Sequence, residues 1–259
     1  RRWSLHVDDS AGRPLSATPV GTLLRLSAAA LSEHLPPVPL LAVLKHPLSA
    51  GGISVGNFKT AVRRFERDLL RGPRPAPGIA GLTGALSAAK LDPARKLLHQ
   101  DFLDKLAAWS APFLKLQEQP EASVAELVAA HLHFVEKLAS NEATPGAERL
   151  WSGEAGDMAQ RFAAELLEAA QDLPLLSIAR YPALLDAFML GRVVRPKWGT
   201  HPRLFVWGLL EARLQKADRV ILGGLNEGTW PAESLADPWM SRPMRRRMGL
   251  PPAERRIGQ

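Results

Sequence analysis

Cysteine is absent from all 259 residues. Disulfides, thiolate zinc sites and cysteine-ligated iron–sulfur clusters are therefore excluded within this stretch, and redox chemistry leaves the compartment open, with the cytosol as the default. Long apolar runs are lacking too. None approaches the length that spans a bilayer, and Arg1-Arg2-Trp3 is not followed by the apolar core of a secretion signal. A Gly-rich phosphate loop ending in Lys-Ser/Thr is also missing. Gly51-Gly52 and Gly223-Gly224 lack the lysine, so the sequence argues against an independent NTPase. There is no internal repeat. The chain lacks an initial Met and stops at Arg256-Ile257-Gly258-Gln259, from which we expect a piece of a longer protein.

What is present is ordinary for a folded protein: 46% hydrophobic and 23% charged residues, in a chain long enough for one large domain or two smaller ones. The net charge is +7, and its distribution is uneven. Residues 1–75 carry +6, residues 76–185 carry −5 and residues 186–259 carry +6. Two basic ends around an acidic middle fit one basic body with an inserted domain, and a basic body attracts a polyanion. The ordinary alternative is a solvated surface in an arginine-favouring proteome.

Ser4 to Asp8 alternates like a short strand and is closed by a turn at Asp9-Ser10-Ala11-Gly12. Thr18 with Pro19 reads as a helix cap and first helical residue, and the helix is expected to run to about His34 on an apolar face of Leu23, Leu24, Leu26, Ala30 and Leu31. Pro36, Pro37 and Pro39 break it, and Pro39–Lys45 is a short helix or strand.

The middle is helical almost throughout. Residues 55–70 place Phe58, Val62, Phe65 and Leu69 on one side and Arg63, Arg67 and Arg71, four apart, on another. Gly72 to Gly78 is a proline-rich linker. Further helices are expected at 92–116, 123–138 (with Ser123 and Glu126 as a capping box), 154–170 and 181–189. After Gly191 the pattern changes. Leu204-Phe205-Val206-Trp207 and Val220-Ile221-Leu222 read as buried strands around a short helical turn, which suggests a parallel sheet that takes a further strand from near the N-terminus.

Three constellations invite chemistry. Asp8-Asp9 after a strand could be a magnesium-binding pair, but without a phosphate loop a turn is favoured. His131, His133 and Glu136 have the residue types of a metal site, yet helical residues two apart point about 200° apart, which argues against it. Asn226-Glu227-Gly228 after a strand is either a ligand position at a sheet end or a Gly-assisted turn. A nuclease role for Glu227 would need partner carboxylates that the sequence does not offer. The best binding candidates are basic. Arg242, Arg245, Arg246 and Arg247 follow a loop with Trp230 and Trp239, and Arg192, Arg195, Lys197 and Arg203 form a second group, with His201 and Arg213 nearby. Arginine holds phosphates and exposed tryptophan stacks bases. Trp207 and Trp230 read instead as core residues.

One long stretch carries a resemblance. Gly199-Thr200-His201-Pro202-Arg203, Leu210-Glu211-Ala212-Arg213 and the run Ala217 to Pro231, with Gly223-Gly224-Leu225-Asn226-Glu227-Gly228-Thr229-Trp230-Pro231 at its end, resemble the AddB subunits of bacterial AddAB repair complexes. Asp237-Pro238-Trp239, Ser241-Arg242-Pro243-Met244 and Gly249-Leu250-Pro251-Pro252 continue it. Near the start, Val7 to Gly12 and Leu44-Lys45-His46-Pro47-Leu48 do the same, and Arg149-Leu150-Trp151 is the clearest signal of the middle. The resemblance implies an α/β fold with predominantly helical content. This would be part of a RecA-like domain of superfamily 1 helicase type, split by an all-helical insertion: residues 1–50 and 196–259 as its two parts and 51–195 as the insertion. Of the lysine-containing helicase motif only Glu211 is retained in Trp207-Gly208-Leu209-Leu210-Glu211-Ala212-Arg213, so the resemblance implies a catalytically inactive DNA-guiding scaffold and no active site here. The motif residues are Glu211, Asn226, Glu227, Gly228, Trp230 and Pro231. ATP, magnesium and an iron–sulfur cluster are expected only in the full complex. An AddA-type helicase–nuclease subunit and DNA (a single strand and duplex ends) are the implied partners, in the bacterial cytoplasm and on the nucleoid. The alternative is a scaffold that docks the motor subunit without touching DNA.

Overall fold

The computed structural model describes residues 7–195, 201, 203–224, 226 and 239–251. Among them the chain is mostly helical with a few two-residue strands, and it divides into two compact units, 1–208 and 209–259.

The first unit opens with β1 (Asp8–Asp9) and β2 (Arg13–Pro14), joined by a turn that Asp9 itself stabilises: its Oδ1 accepts the Ala11 N–H at 3.0 Å and its carbonyl accepts the Gly12 N–H at 3.1 Å. Gly12 needs to be glycine, because at φ 67° a Cβ would stand 2.7 Å from the Val194 carbonyl oxygen. The turn reading of Asp8-Asp9 is the one the geometry supports.

α1 (Pro19–Ser32) starts where the sequence says it should. The Thr18 Oγ1 accepts the Gly21 N–H at 3.1 Å and Pro19 occupies the first turn, where its missing N–H costs nothing. Leu23, Leu24, Ala30 and Leu31 are buried; Leu26, expected on the same face, is 37% exposed. α2 (Pro37–Leu44) follows. Its C-terminal His46 is buried between Thr22 Oγ1 (3.2 Å) and the Leu48 N–H (3.3 Å), and burial lowers its pKa. A neutral ring fits both neighbours: Nδ1 accepts from Leu48 and Nε2–H donates to Thr22.

α3 (Val55–Phe65) does not continue as one α-helix to Leu70. It passes into a π-helical turn, Glu66–Leu70, closed by the Arg71 N–H on the Glu66 carbonyl at 3.0 Å. The apolar side runs through both pieces, with Phe58, Val62, Phe65 and Leu69 buried. Then come α4 (Gly78–Ala88), α5 (Pro93–Leu116), β3 (Glu121–Ala122), α6 (Val124–Ala139), α7 (Gly146–Leu150), α8 (Gly153–Ala169), β4 (Leu176–Ser177), α9 (Tyr181–Met189), β5 (Val193–Val194) and β6 (Phe205–Val206). α5 is capped by the Asp92 side chain on the Arg95 N–H. The expected capping box of α6 does not form: Ser123 makes no side-chain cap. The chain enters α6 directly from the antiparallel β3–β4 pair, and burial of Ala122 and Val124 sets its start instead.

One apolar core runs through all of this, from Leu15 to Val194, with α1 packed against α2, α6, α8 and α9. Residues 15–50 thus share a core with the helices that follow. At its centre Tyr181, the only tyrosine of the chain, is fully buried. His131 joins it to α1: Nδ1 lies 2.9 Å from the Tyr181 hydroxyl and Nε2 lies 2.7 Å from Ser27 Oγ, whose own proton goes to the Leu23 carbonyl at 2.7 Å. Every proton has a place when His131 is neutral, with Tyr181 donating to Nδ1 and Nε2–H donating to Ser27. Burial pushes the imidazole down to about 3 and the phenol upward. Arg149-Leu150-Trp151 closes the far side. Leu150 is buried, the Arg149 guanidinium caps the carbonyls of Leu48 and Ala139, and Trp151 Nε1 donates to Glu136 at 2.8 Å.

β1 and β6 pair in parallel, Asp8 opposite Phe205 and Asp9 opposite Val206; β2 and β5 pair antiparallel. The N-terminal stretch therefore does supply the partner strand that the pattern after Gly191 called for. The expected burial is absent. Leu204, Phe205, Val206 and Trp207 are all exposed to 39% or more. A parallel pair is buried only when layers cover both its faces. In the second unit, Val220, Ile221 and Leu222 form no strand and are 61–87% exposed, so the second buried strand is also corrected. Helices α10 (Leu209–Ala212) and α11 (Arg242–Arg247) are the regular elements described there.

Candidate nucleic-acid interface

The basic residues singled out by sequence fall on two units. In the first, Arg192 is committed to the fold. Its guanidinium pairs with Glu165 at 2.5 Å and lies 5.4 Å over the Phe162 ring, and its carbonyl accepts the Leu15 N–H. Arg195 is exposed, with its stem against Gly12. His201 accepts the Arg203 N–H on Nδ1 at 3.1 Å, which fixes the bend leading into β6. Arg203 itself is exposed. Lys197 lies outside the described residues.

Directly after Arg203 the Phe205 and Trp207 rings stack, with centroids 5.2 Å apart and planes 11° apart, each ring-bearing residue 43% exposed. Residues two apart on a strand share a face, which is why these two meet. The Trp207 assignment to the core is therefore corrected. A stacked pair open to solvent, preceded by an exposed arginine, is a surface on which a nucleobase can continue the stack.

In the second unit, Arg242, Arg245, Arg246 and Arg247 occupy α11 and Trp239 precedes it, 87% exposed. Arg245 Nε donates to the Pro251 carbonyl at 3.2 Å, and three arginines in the last turn suit the negative end of the helix dipole. Arg246 and Arg247 have no ion pair among the described residues. Glu211, Arg213 and Asn226 are exposed. Glu227, Gly228, Trp230 and Pro231 lie outside the described residues.

His131 and His133, as the helical spacing requires, point opposite ways: His131 into the core and His133 to solvent, with Glu136 taken up by Trp151. Among the described residues no group of three His, Cys, Asp or Glu could hold a metal ion.

Sequence reasoning passed over a further basic surface in the first unit. Lys45, Lys59, Arg63, Arg67 and Arg71 line a concave pocket of about 580 Å³ together with Val62 and a single acid, Glu66. Glu66 tethers two of the cations, Lys45 Nζ at 2.6 Å and Arg71 at 3.7 Å, and the hydrogen bond from Lys45, with Arg71 beside it, holds its carboxyl below the usual range. Arg67 is held by Asp68 at 3.1 Å, and Asp68 in turn by His99 Nε2 at 3.1 Å. Burial works to raise the Asp68 pKa, but the bonds from His99 and Arg67 outweigh it and lower it. The four-residue spacing of Arg63, Arg67 and Arg71 was the available signal. What it could not show is that Lys45, from the end of α2, completes the concavity.

No family profile, curated protein or solved structure matches this chain.

Proposed function

We propose that this chain is a helicase-like, catalytically inactive DNA-binding and scaffold region of a double-strand-break repair helicase–nuclease subunit of the AddB type. It would guide single-stranded DNA beside a separate AddA-type ATPase motor. The observation that carries this is the exposed Phe205–Trp207 stack following Arg203, at the point where the end of the first unit pairs in parallel with its beginning. Stacking on an aromatic pair is tolerant of base identity and is worth about 1–3 kcal/mol per base. Parallel pairing of segments nearly the whole unit apart supports a sheet split by a helical insertion, the RecA-like layout that the resemblance to AddB subunits implies. On this reading the exposed apolar residues of β6 belong to a sheet with further strands.

The test is binding of the chain to a labelled single-stranded oligonucleotide across a salt series, with Trp207→Ala and an Arg245→Ala/Arg246→Ala/Arg247→Ala variant alongside. Steep weakening with salt, and roughly tenfold or greater loss in Trp207→Ala, are expected. A folded chain that binds no oligonucleotide at low salt would sink the proposal. One observation favours the docking alternative: Leu97 and Leu98 stand exposed side by side on α5, 73% and 46%, in the acidic middle of the chain. Capture of an AddA-type subunit without DNA binding is the outcome that would select it.

A further inference from the structure

The pocket between the end of α2 and the α3–π-turn segment has features that a merely solvated charged face lacks. It is concave, and its lining holds five cations against one acid. The acid does not neutralise the surface but acts as a tether, holding Lys45 and Arg71 toward each other from one carboxylate. Arg67 is similarly fixed through Asp68 and the buried His99, whose side chains are only 7% and 2% exposed. A cation held in place loses less freedom on meeting an anion than one that waves in water. Lys59 and Arg63 take part in no ion pair among the described residues and are exposed, so their charge is available to a ligand.

The winding of the helix matters here. Along an α-helix, positions four apart drift steadily around the axis, because a turn takes 3.6 residues. The turn at Glu66–Leu70 is wound on wider i→i+5 bonds, so there the same spacing falls short of the turn instead of passing it. The drifts oppose one another, and Arg63, Arg67 and Arg71, all in the lining of the pocket, are spread over roughly 10 Å along the axis. A spread of that length is too extended for one phosphate and suits several in succession.

We propose that this pocket is a phosphodiester-binding groove, in which Lys59, Arg63, Arg67 and Arg71 hold successive backbone phosphates of a nucleic-acid strand with Lys45 on the opposite wall. The proposal deepens the reading above and rests on it for the nature of the ligand, DNA. It assigns the phosphate contacts to the helical body, where that reading places base stacking at Phe205–Trp207 and left the helices without a role on the strand.

The experiment uses the full chain and a labelled oligothymidylate, with Lys59→Ala/Arg63→Ala as the variant and Lys105→Ala/Lys137→Ala as a control of equal charge loss elsewhere. Neither Lys59 nor Arg63 supports the core, so circular dichroism should be unchanged. Affinity is expected to fall about tenfold in the variant and the logarithmic salt slope to shrink by about 1.4, two phosphate contacts at about 0.7 each, while the control binds like the parent. Inorganic phosphate should compete only at concentrations where its ionic strength accounts for the effect. Parent-like binding by the variant overturns the groove while leaving the stacking surface standing, and equal losses in variant and control overturn it as general charge. Specific competition by dilute inorganic phosphate overturns the strand in favour of a small-anion site. No binding by the parent overturns both the groove and the reading it rests on.

Discussion

The two units of this chain differ in what their apolar residues do. In the first, Phe58, Phe65, Phe113, Phe134, Phe162 and Tyr181 are all enclosed, and the aromatic rings interlock, with Phe65 and Phe102 centroids 5.1 Å apart and Phe113 and Tyr181 5.8 Å apart. In the second, Leu214, Ile221 and Trp239 are each at least 85% exposed. Leucine content does not explain the contrast, since both stretches are rich in Leu. In the first unit each helix finds other helices to cover its apolar face, whereas the elements described in the second, α10 and α11, are one to two turns long and too short to cover one another. The same kind of residue is thus structural where helices cover it and available surface in the second unit, as it is at the Phe205–Trp207 edge of the first.

That comparison can be broken by substitution. Phe113→Ala should cost about 3–5 kcal/mol, while Ile221→Ala should stay within about 0.5 kcal/mol, both read by chemical denaturation. Comparable losses at the two sites would show that Ile221 is enclosed in solution. Glycines sharpen the point next. A Cβ at Gly21 would stand 1.9 Å from the Leu15 carbonyl oxygen, whereas one at Gly223 meets nothing within 4 Å. Gly21→Ala is expected to destabilise by about 1–3 kcal/mol and Gly223→Ala to leave the melting temperature unchanged. Equal melting temperatures for the two variants would remove the packing difference.

At neutral pH the smallest effect is a pH dependence arising in the first unit, which grows only on acidification. The folded His131 pKa, about 3, lies below its unfolded value, so the unfolded chain binds the proton and the native chain does not. Stability is full above about pH 6.5 and declines as pH falls from there toward 3, by up to about 1.4 kcal/mol per pH unit from this group. His131→Gln, which can still bond Ser27 and Tyr181, should lose that part of the slope. An identical acid slope in parent and variant would mean that His131 is already protonated in the native state.

Much of the helical body is legible in the sequence because its signals are local. The Thr18-Pro19 start, the Asp92 start of the long helix, and the Tyr181–Met189 helix follow from caps and apolar spacing over a few residues. The parallel partnership of the chain's beginning with Phe205-Val206 was legible as a need for another strand. The misses share a cause. Whether Trp207 or Val220–Leu222 is enclosed depends on what lies over a strand, and period-two patterning says nothing about that. The π-helical turn is invisible to a 3.6-residue reading, since the apolar side of the helix continues through it. Of the interface, the arginine groups were legible as clusters. That Arg192 is occupied by Glu165, and that Lys45 lines one pocket with Arg63 and Arg67, are facts of packing between elements distant in sequence.

The pairing of Asp8–Asp9 with Phe205–Val206 also says something about the order of assembly. Closing a loop of some 200 residues costs about 4–5 kcal/mol in chain entropy, far more than a two-residue ladder returns. The ladder cannot nucleate folding. It forms once the helices have already drawn residues 13–14 and 193–194 together, when almost no loop remains to be closed. The helical body therefore acts as the template on which the strands meet, and a lesion in its core should abolish the strand pairing long before a lesion in the strands disturbs the core.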